Sequence, residues 1–177
     1  MSAILDLFGH APTANTTDGD ERYTTRETMT WAKRVAGVDA FDLDVAACDE
    51  SHKADRYFTK DLNGLLRPWF GRVWCNPPYS DIPAWVAKAW SEMASAPGPS
   101  TIVMLLPNNR QEQPWWQAEV EPWRDCHADR NRPMCPEIAL STDYPPGRVS
   151  FGHPGNPEGV GVGSPPFGCV LLVWRRS

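Results

Sequence analysis

Residues 71–106 read GRVWCNPPYSDIPAWVAKAWSEMASAPGPSTIVMLL, and their pattern decides the fold. Val73, Trp74 and Cys75 form a short apolar run that stops at Asn76-Pro77-Pro78-Tyr79. Two successive prolines remove two backbone donors and fix φ, so they end a strand. Between Asp81 and Ala96, the residues Ile82, Trp85, Val86, Ala89, Trp90 and Met93 recur at three and four, as on an amphipathic helix, and Pro83 suits its first turn. Pro97-Gly98-Pro99-Ser100 closes that helix, and Thr101–Leu106 is almost wholly apolar, as a strand covered on both faces is. Strand, turn, helix, turn and buried strand make one βαβ unit.

Working outward, RETMTWAKRVA (26–36) suits a helix, and FDLDVAAC (41–48) reads as a strand running into a loop. DRYFT (55–59) is a second short strand candidate. Downstream, EIAL (137–140), RVSF (148–151) and GCVLLVW (168–174) are strand-like, while 107–136 is rich in Trp, Pro and charge and reads as irregular or weakly helical. The expectation is an α/β protein with parallel central strands. Ligands in such sheets bind outside the carboxyl ends of the strands, where both LDVAA and NPPY fall. Residues 1–20 read as a flexible lead-in, and 21–177 as a single domain.

At 177 residues with 41% hydrophobic and 22% charged residues, the chain is long enough for a real core. A net charge of −5 argues against a nonspecific nucleic-acid coat, though not against a local basic groove. The five cysteines are odd in number and irregularly spaced, which reads as reduced thiols in a cytoplasmic protein. Cys126, His127 and Cys135 lack a CxxC pair and an evident fourth ligand, so no metal is expected. No apolar run is long enough to span a membrane. Nothing in the sequence speaks to oligomeric state.

A Pro-Pro turn between strand and helix needs no chemistry. NPPY nevertheless suits one task. An amino group on an aromatic ring, such as N6 of adenine, is a poor nucleophile because its lone pair is delocalised. Acceptors on its two hydrogens return electron density to nitrogen and fix its direction. The Asn76 side-chain oxygen and the Pro77 carbonyl are such acceptors. Pro77 and Pro78 restrain them before a substrate arrives. Tyr79 offers a face for base stacking, worth about 1–3 kcal/mol in single-strand binders. A base in a duplex is out of reach, so it must be flipped out.

The chain resembles the phage-type Dam family of DNA N6-adenine methyltransferases. The resemblance runs over roughly residues 20–175: RYTTRET, FDLDVAACDESHKADRYFTKDLNGLLRPWFGRVWCNPPYSDIPAWVAKA, IVMLLPNNRQEQPWW and GRVSF…GSPPFGCVLLVW. It implies a Rossmann-like class I methyltransferase fold, mostly parallel with an antiparallel C-terminal strand. It also implies S-adenosyl-L-methionine as methyl donor and double-stranded DNA as substrate. By position, Asn76, Pro77, Pro78 and Tyr79 match the catalytic motif. Asp44, with Ala46 in the loop behind it, matches the segment that holds the donor's methionine end. Tyr23, Thr24 and Thr25 match the segment packing on the donor from the N-terminal side, and Asp61 or Asp55 would hold its adenosine. Three departures stand out. The loop Asp44–Cys48 has no glycine, about ten residues separate the first two strand candidates, and Thr25 stands where the family has proline.

DNA contact requires local cations. Residues 107–147 form a possible small recognition insertion, with Arg110, Arg124, Arg130 and Arg132 beside Trp115, Trp116 and Trp123. Seven acids share that segment, which equally describes a solvated surface. Arg67 and Arg72 are alternative phosphate contacts, and Arg148 suits a strand anchor. Two other readings remain open. One is an amino-methyltransferase acting on RNA adenine or a protein glutamine. The other is a catalytically silent binding module of the same fold.

Overall fold

The structure is a computed structural model and describes residues 22–125 and 137–176. Its centre is a five-stranded sheet with strand order β2-β3-β4-β7-β5, formed by Leu43–Asp44 (β2), Arg72–Cys75 (β3), Thr101–Pro107 (β4), Cys169–Arg176 (β7) and Ile138–Asp143 (β5). β2, β3 and β4 pair in parallel, and β7 runs antiparallel between β4 and β5. Four strands therefore share one direction and the C-terminal strand opposes them. A separate two-stranded ribbon joins Tyr23–Thr24 (β1) to Phe151–Gly152 (β6).

Both faces of the sheet are covered. In β4, Ile102, Met104 and Leu106 point into one core with α2 (Ile82–Ala94) and Trp116 of α3 (Pro114–Glu119). Val103 and Leu105 point into the other, with Met29, Trp31, Ala32 and Ala36 of α1 (Arg26–Ala36). β7 alternates the same way, with Val170, Leu172 and Trp174 on the first face and Cys169, Leu171 and Val173 on the second. Apolar continuity in the sequence marks such two-sided burial.

The helices end where local chemistry ends them. The Thr25 hydroxyl accepts from the Thr28 amide at 3.4 Å to cap α1, and Gly37 closes it at φ 70°. The Trp31 indole donates to Asp143 at 2.7 Å, fastening α1 to β5. In α2 the buried Glu92 accepts from the Trp69 amide at 2.8 Å and from Lys88 at 2.5 Å, so its charge is compensated.

One expectation needs correction. The strand that runs into a loop within 41–48 is only Leu43–Asp44 long, and 55–59, expected as a second short strand, is no strand. Tyr57 makes a single parallel bridge to Asp44, supported by Asp44 N–H to the Arg56 carbonyl (2.9 Å) and Phe58 N–H to the Asp44 carbonyl (2.8 Å). One further bond follows, from Ala47 N–H to the Phe58 carbonyl at 2.9 Å, while the Asp44 side chain turns back onto its own loop. Its carboxylate accepts from the Ala46 and Lys53 amides. β2 and β3 are connected without an α-helix, through a 3₁₀ turn at Gly64–Leu66.

Candidate active site

A cavity of about 370 Å³ opens at the carboxyl ends of β2 and β3. Asp44–Asp49 forms one wall, Asn76, Pro78 and Trp85 another, Thr59–Asp61 and Asn63–Gly64 a third, and Arg22–Thr24 lies across it. The glycine at 64 is sterically required, since a Cβ there would stand 2.1 Å from the Val45 carbonyl oxygen.

Asp44 is 2% exposed and organises its loop. One carboxylate oxygen accepts from Ala46 N–H at 3.3 Å, an Asx-type turn, and the other from Lys53 N–H at 2.9 Å. Burial pushes its pKa up to about 7, against the opposing pull of those two amides. Across the cavity, Tyr23 donates to Glu50 at 3.2 Å and Glu50 accepts from Gly155 N–H at 2.8 Å, tying β1 to both loops. Burial and the nearby acidic groups raise the Tyr23 hydroxyl, so it stays protonated.

The NPPY segment behaves differently. The Asn76 amide nitrogen donates to the Arg22 carbonyl at 2.6 Å, which fixes the orientation of the amide, because a flipped amide would set oxygen against oxygen. Its Oδ1 is buried and has no partner. The Tyr79 hydroxyl is also buried, with the Cys169 thiol beside it but no hydrogen bond of good geometry, and burial raises its pKa well above the usual tyrosine range. The Tyr79 ring packs edge-on to Phe167 (6.0 Å) and Phe151 (6.4 Å), with the Arg22 guanidinium 5.1 Å from its centroid. Tyr79, Phe167, Arg22 and Arg110 line a second cavity of about 230 Å³. Trp85 Nε1, on the residue that closes the first cavity, is likewise buried and unpaired.

The structure brings many of the sequence-derived candidates together. Tyr23, Thr24, Asp44, Ala46, Asp61, Asn76 and Pro78 line the first cavity, and Tyr79 and Arg110 the second. Thr25 lines neither and caps α1 instead, while Pro77 is buried behind the wall. Asp61 is on the wall and Asp55 is an exposed residue off it. Arg124 donates twice to Glu121, at 2.8 and 2.9 Å, so its charge is already paired. Arg130 and Arg132 lie outside the described residues, as do Cys126, His127 and Cys135. Among the described residues no group of His, Cys, Asp and Glu is placed to hold a metal, and no helix is long and apolar enough to cross a membrane. Arg22, Phe167 and Trp85 were missed as site residues. Arg22 and Phe167 meet Tyr79 from distant parts of the chain, and Trp85 reads as an ordinary apolar helix position.

The fold and site define an α/β protein with a cavity at the carboxyl ends of parallel strands and a buried, unpartnered amide oxygen beside it. The sequence model for "DNA N-6-adenine-methyltransferase (Dam)" matches residues 13–153, and the chain belongs to that family. It is 39% identical over 70 residues, 38% of this chain, to a "DNA N-6-adenine-methyltransferase" of Escherichia phage T1. It is 40% identical over 67 residues, 37% of this chain, to a protein of the same description from Haemophilus phage HP1 (strain HP1c1). These matches span 28% and 38% of the relatives' own lengths. No solved structure matches the chain.

Proposed function

We propose that the chain methylates N6 of adenine in double-stranded DNA, on a Rossmann-like class I methyltransferase fold. The observation that carries this is Asn76 Oδ1. It is a buried acceptor with its amide fixed from behind and no partner of its own. Such a group costs roughly 1–3 kcal/mol unless something else satisfies it, and a flipped base's amino group would do so. The Pro77 carbonyl is the second acceptor. Family membership and the names of the two phage relatives support DNA adenine as the acceptor.

The first cavity fits S-adenosyl-L-methionine in donor set. Asp44, Asp49 and Asp61 suit its cationic and hydroxyl groups, and Lys53 and Lys60 suit its carboxylate. The small side chains of Ala46 and Ala47 take the place of glycine in letting the ligand approach the loop. When bound, this donor supplies an electrophilic methyl group on a sulfonium. Asn76 and Pro77 direct the N6 lone pair and stabilise the positive charge that grows there. Tyr79 stacks against the base. No residue is asked to form a covalent intermediate, and the N6 proton is acidic once nitrogen is methylated, so it leaves to water. Tyr23 and Thr24 close the donor's side of the cavity.

The test is transfer of a labelled methyl group from S-adenosylmethionine to separate samples of duplex DNA, RNA and protein. Label in DNA is expected. Label only in RNA or protein moves the acceptor to one of the alternative readings. Donor binding without transfer to any of the three would mark a silent module.

A further inference from the structure

Arg22, Arg110, Ser80 and Asn109 line the second cavity, and among the described residues no carboxylate does. That is a local positive site in a chain of net charge −5. Its inner wall is aromatic. The Arg22 guanidinium lies 5.1 Å from the Tyr79 centroid and 5.8 Å from that of Phe167, so it covers the ring surface on which a base would stack. Arg22 also touches both subsites, since it lines both cavities and its carbonyl sets the Asn76 amide.

We propose that Arg22 and Arg110 form the seat of the phosphodiester next to the target base, and that Arg22 exchanges the two rings for that phosphate as the base enters. This rests on the reading of the chain as a DNA methyltransferase. The exchange is chemically reasonable in both directions. Without DNA, the guanidinium gains from the negative faces of the rings. With DNA, the base takes the rings by stacking and the guanidinium gains a charge-assisted, bidentate phosphate contact, which is stronger than a contact to a ring. The Asn76 contact uses the Arg22 backbone carbonyl and not its guanidinium, so the exchange does not disturb the acceptor.

The experiment is the salt dependence of kcat/KM for unmethylated duplex DNA, which reports on productive complexes alone. Each phosphate contact contributes about 0.9 to the slope of log(kcat/KM) against log salt. Because both cations meet one phosphodiester, the double variant Arg22→Gln/Arg110→Gln should make the slope shallower by about that amount, and each single variant by a measurable part of it. Arg22→Lys should keep the wild-type slope, because an ammonium also meets a phosphate. Arg34→Gln, an exposed position that lines neither cavity, should leave the slope unchanged. A wild-type slope in Arg22→Gln or Arg110→Gln, with kcat/KM merely lowered, would mean these residues are structural and would overturn the proposal. If Arg22→Gln does not fold by circular dichroism, Arg110→Gln and Arg22→Lys decide. A wild-type protein that binds the methyl donor but methylates no DNA would instead overturn the functional reading, and this proposal with it.

Discussion

The two sides of the first cavity treat their polar atoms in opposite ways. On the Asp44 side the chain satisfies itself. Both carboxylate oxygens are taken by loop amides, and Tyr23, Glu50 and Gly155 complete one another. On the Asn76 side it stops short. Asn76 Oδ1 and Trp85 Nε1 are buried without hydrogen-bond partners, and among the described residues only the Tyr79 hydroxyl, at the second cavity, and Trp174 Nε1 join them. Folding alone disfavours such atoms, because each forfeits hydrogen bonds it had with water. The contrast separates a side that builds the cavity from a side that awaits a ligand.

The sharpest way to break this contrast is at Asn76. Asn76→Ala should lower single-turnover methyl transfer by about 10²–10³-fold, the size seen when one positioned transition-state partner is removed. The donor's affinity should stay nearly constant, since Asp44 and Asp61 stand on the other walls. Next comes Tyr79. Tyr79→Ala should cost roughly 5–150-fold in kcat/KM, the loss of one base stack. Tyr79→Phe should keep activity within about threefold and change stability by less than ~1 kcal/mol, because the hydroxyl it deletes has only the weakly bonding Cys169 thiol beside it.

The Asp44 side is probed by pH. Its folded pKa, about 7, stands above the ordinary 3.8. The fold therefore favours the protonated form. That stabilisation is fully present below about pH 4 and is lost as pH rises through 7. Asp44→Asn should abolish this slope in denaturant titrations. A cationic ligand beside Asp44 favours the carboxylate, so donor affinity should rise about fivefold between pH 6 and pH 7 by calorimetry, as the ionised fraction rises. Gly64→Ala probes the same cavity through stability instead of activity. Its Cβ would overlap the Val45 carbonyl, and a stability loss of about 1–3 kcal/mol measured by urea unfolding would sharpen the view of that wall as rigid.

Much of this was legible in the sequence because it is local or strongly periodic. α1, α2, β3 and β4 follow from helical spacing, the double proline and an unbroken apolar run. The 55–59 segment was misjudged because it makes only the bridge at Tyr57 and a few backbone bonds to Asp44 and Ala47, too little for a strand, which alternation cannot reveal. The candidate residues in LDVAA and NPPY announced themselves by position at strand ends. Arg22 and Phe167 did not, since they reach Tyr79 only after β1 pairs with β6 and β7 docks on β4, contacts made across most of the chain.

The most direct test of the central claim is to digest duplex DNA to nucleosides after incubation with S-adenosylmethionine and either the wild-type protein or Asn76→Ala, and to identify the methylated nucleoside by mass spectrometry. The account predicts N6-methyldeoxyadenosine from the wild type and almost none from the variant. A methyl group on another atom, or equal N6-methyldeoxyadenosine from both proteins, would contradict it.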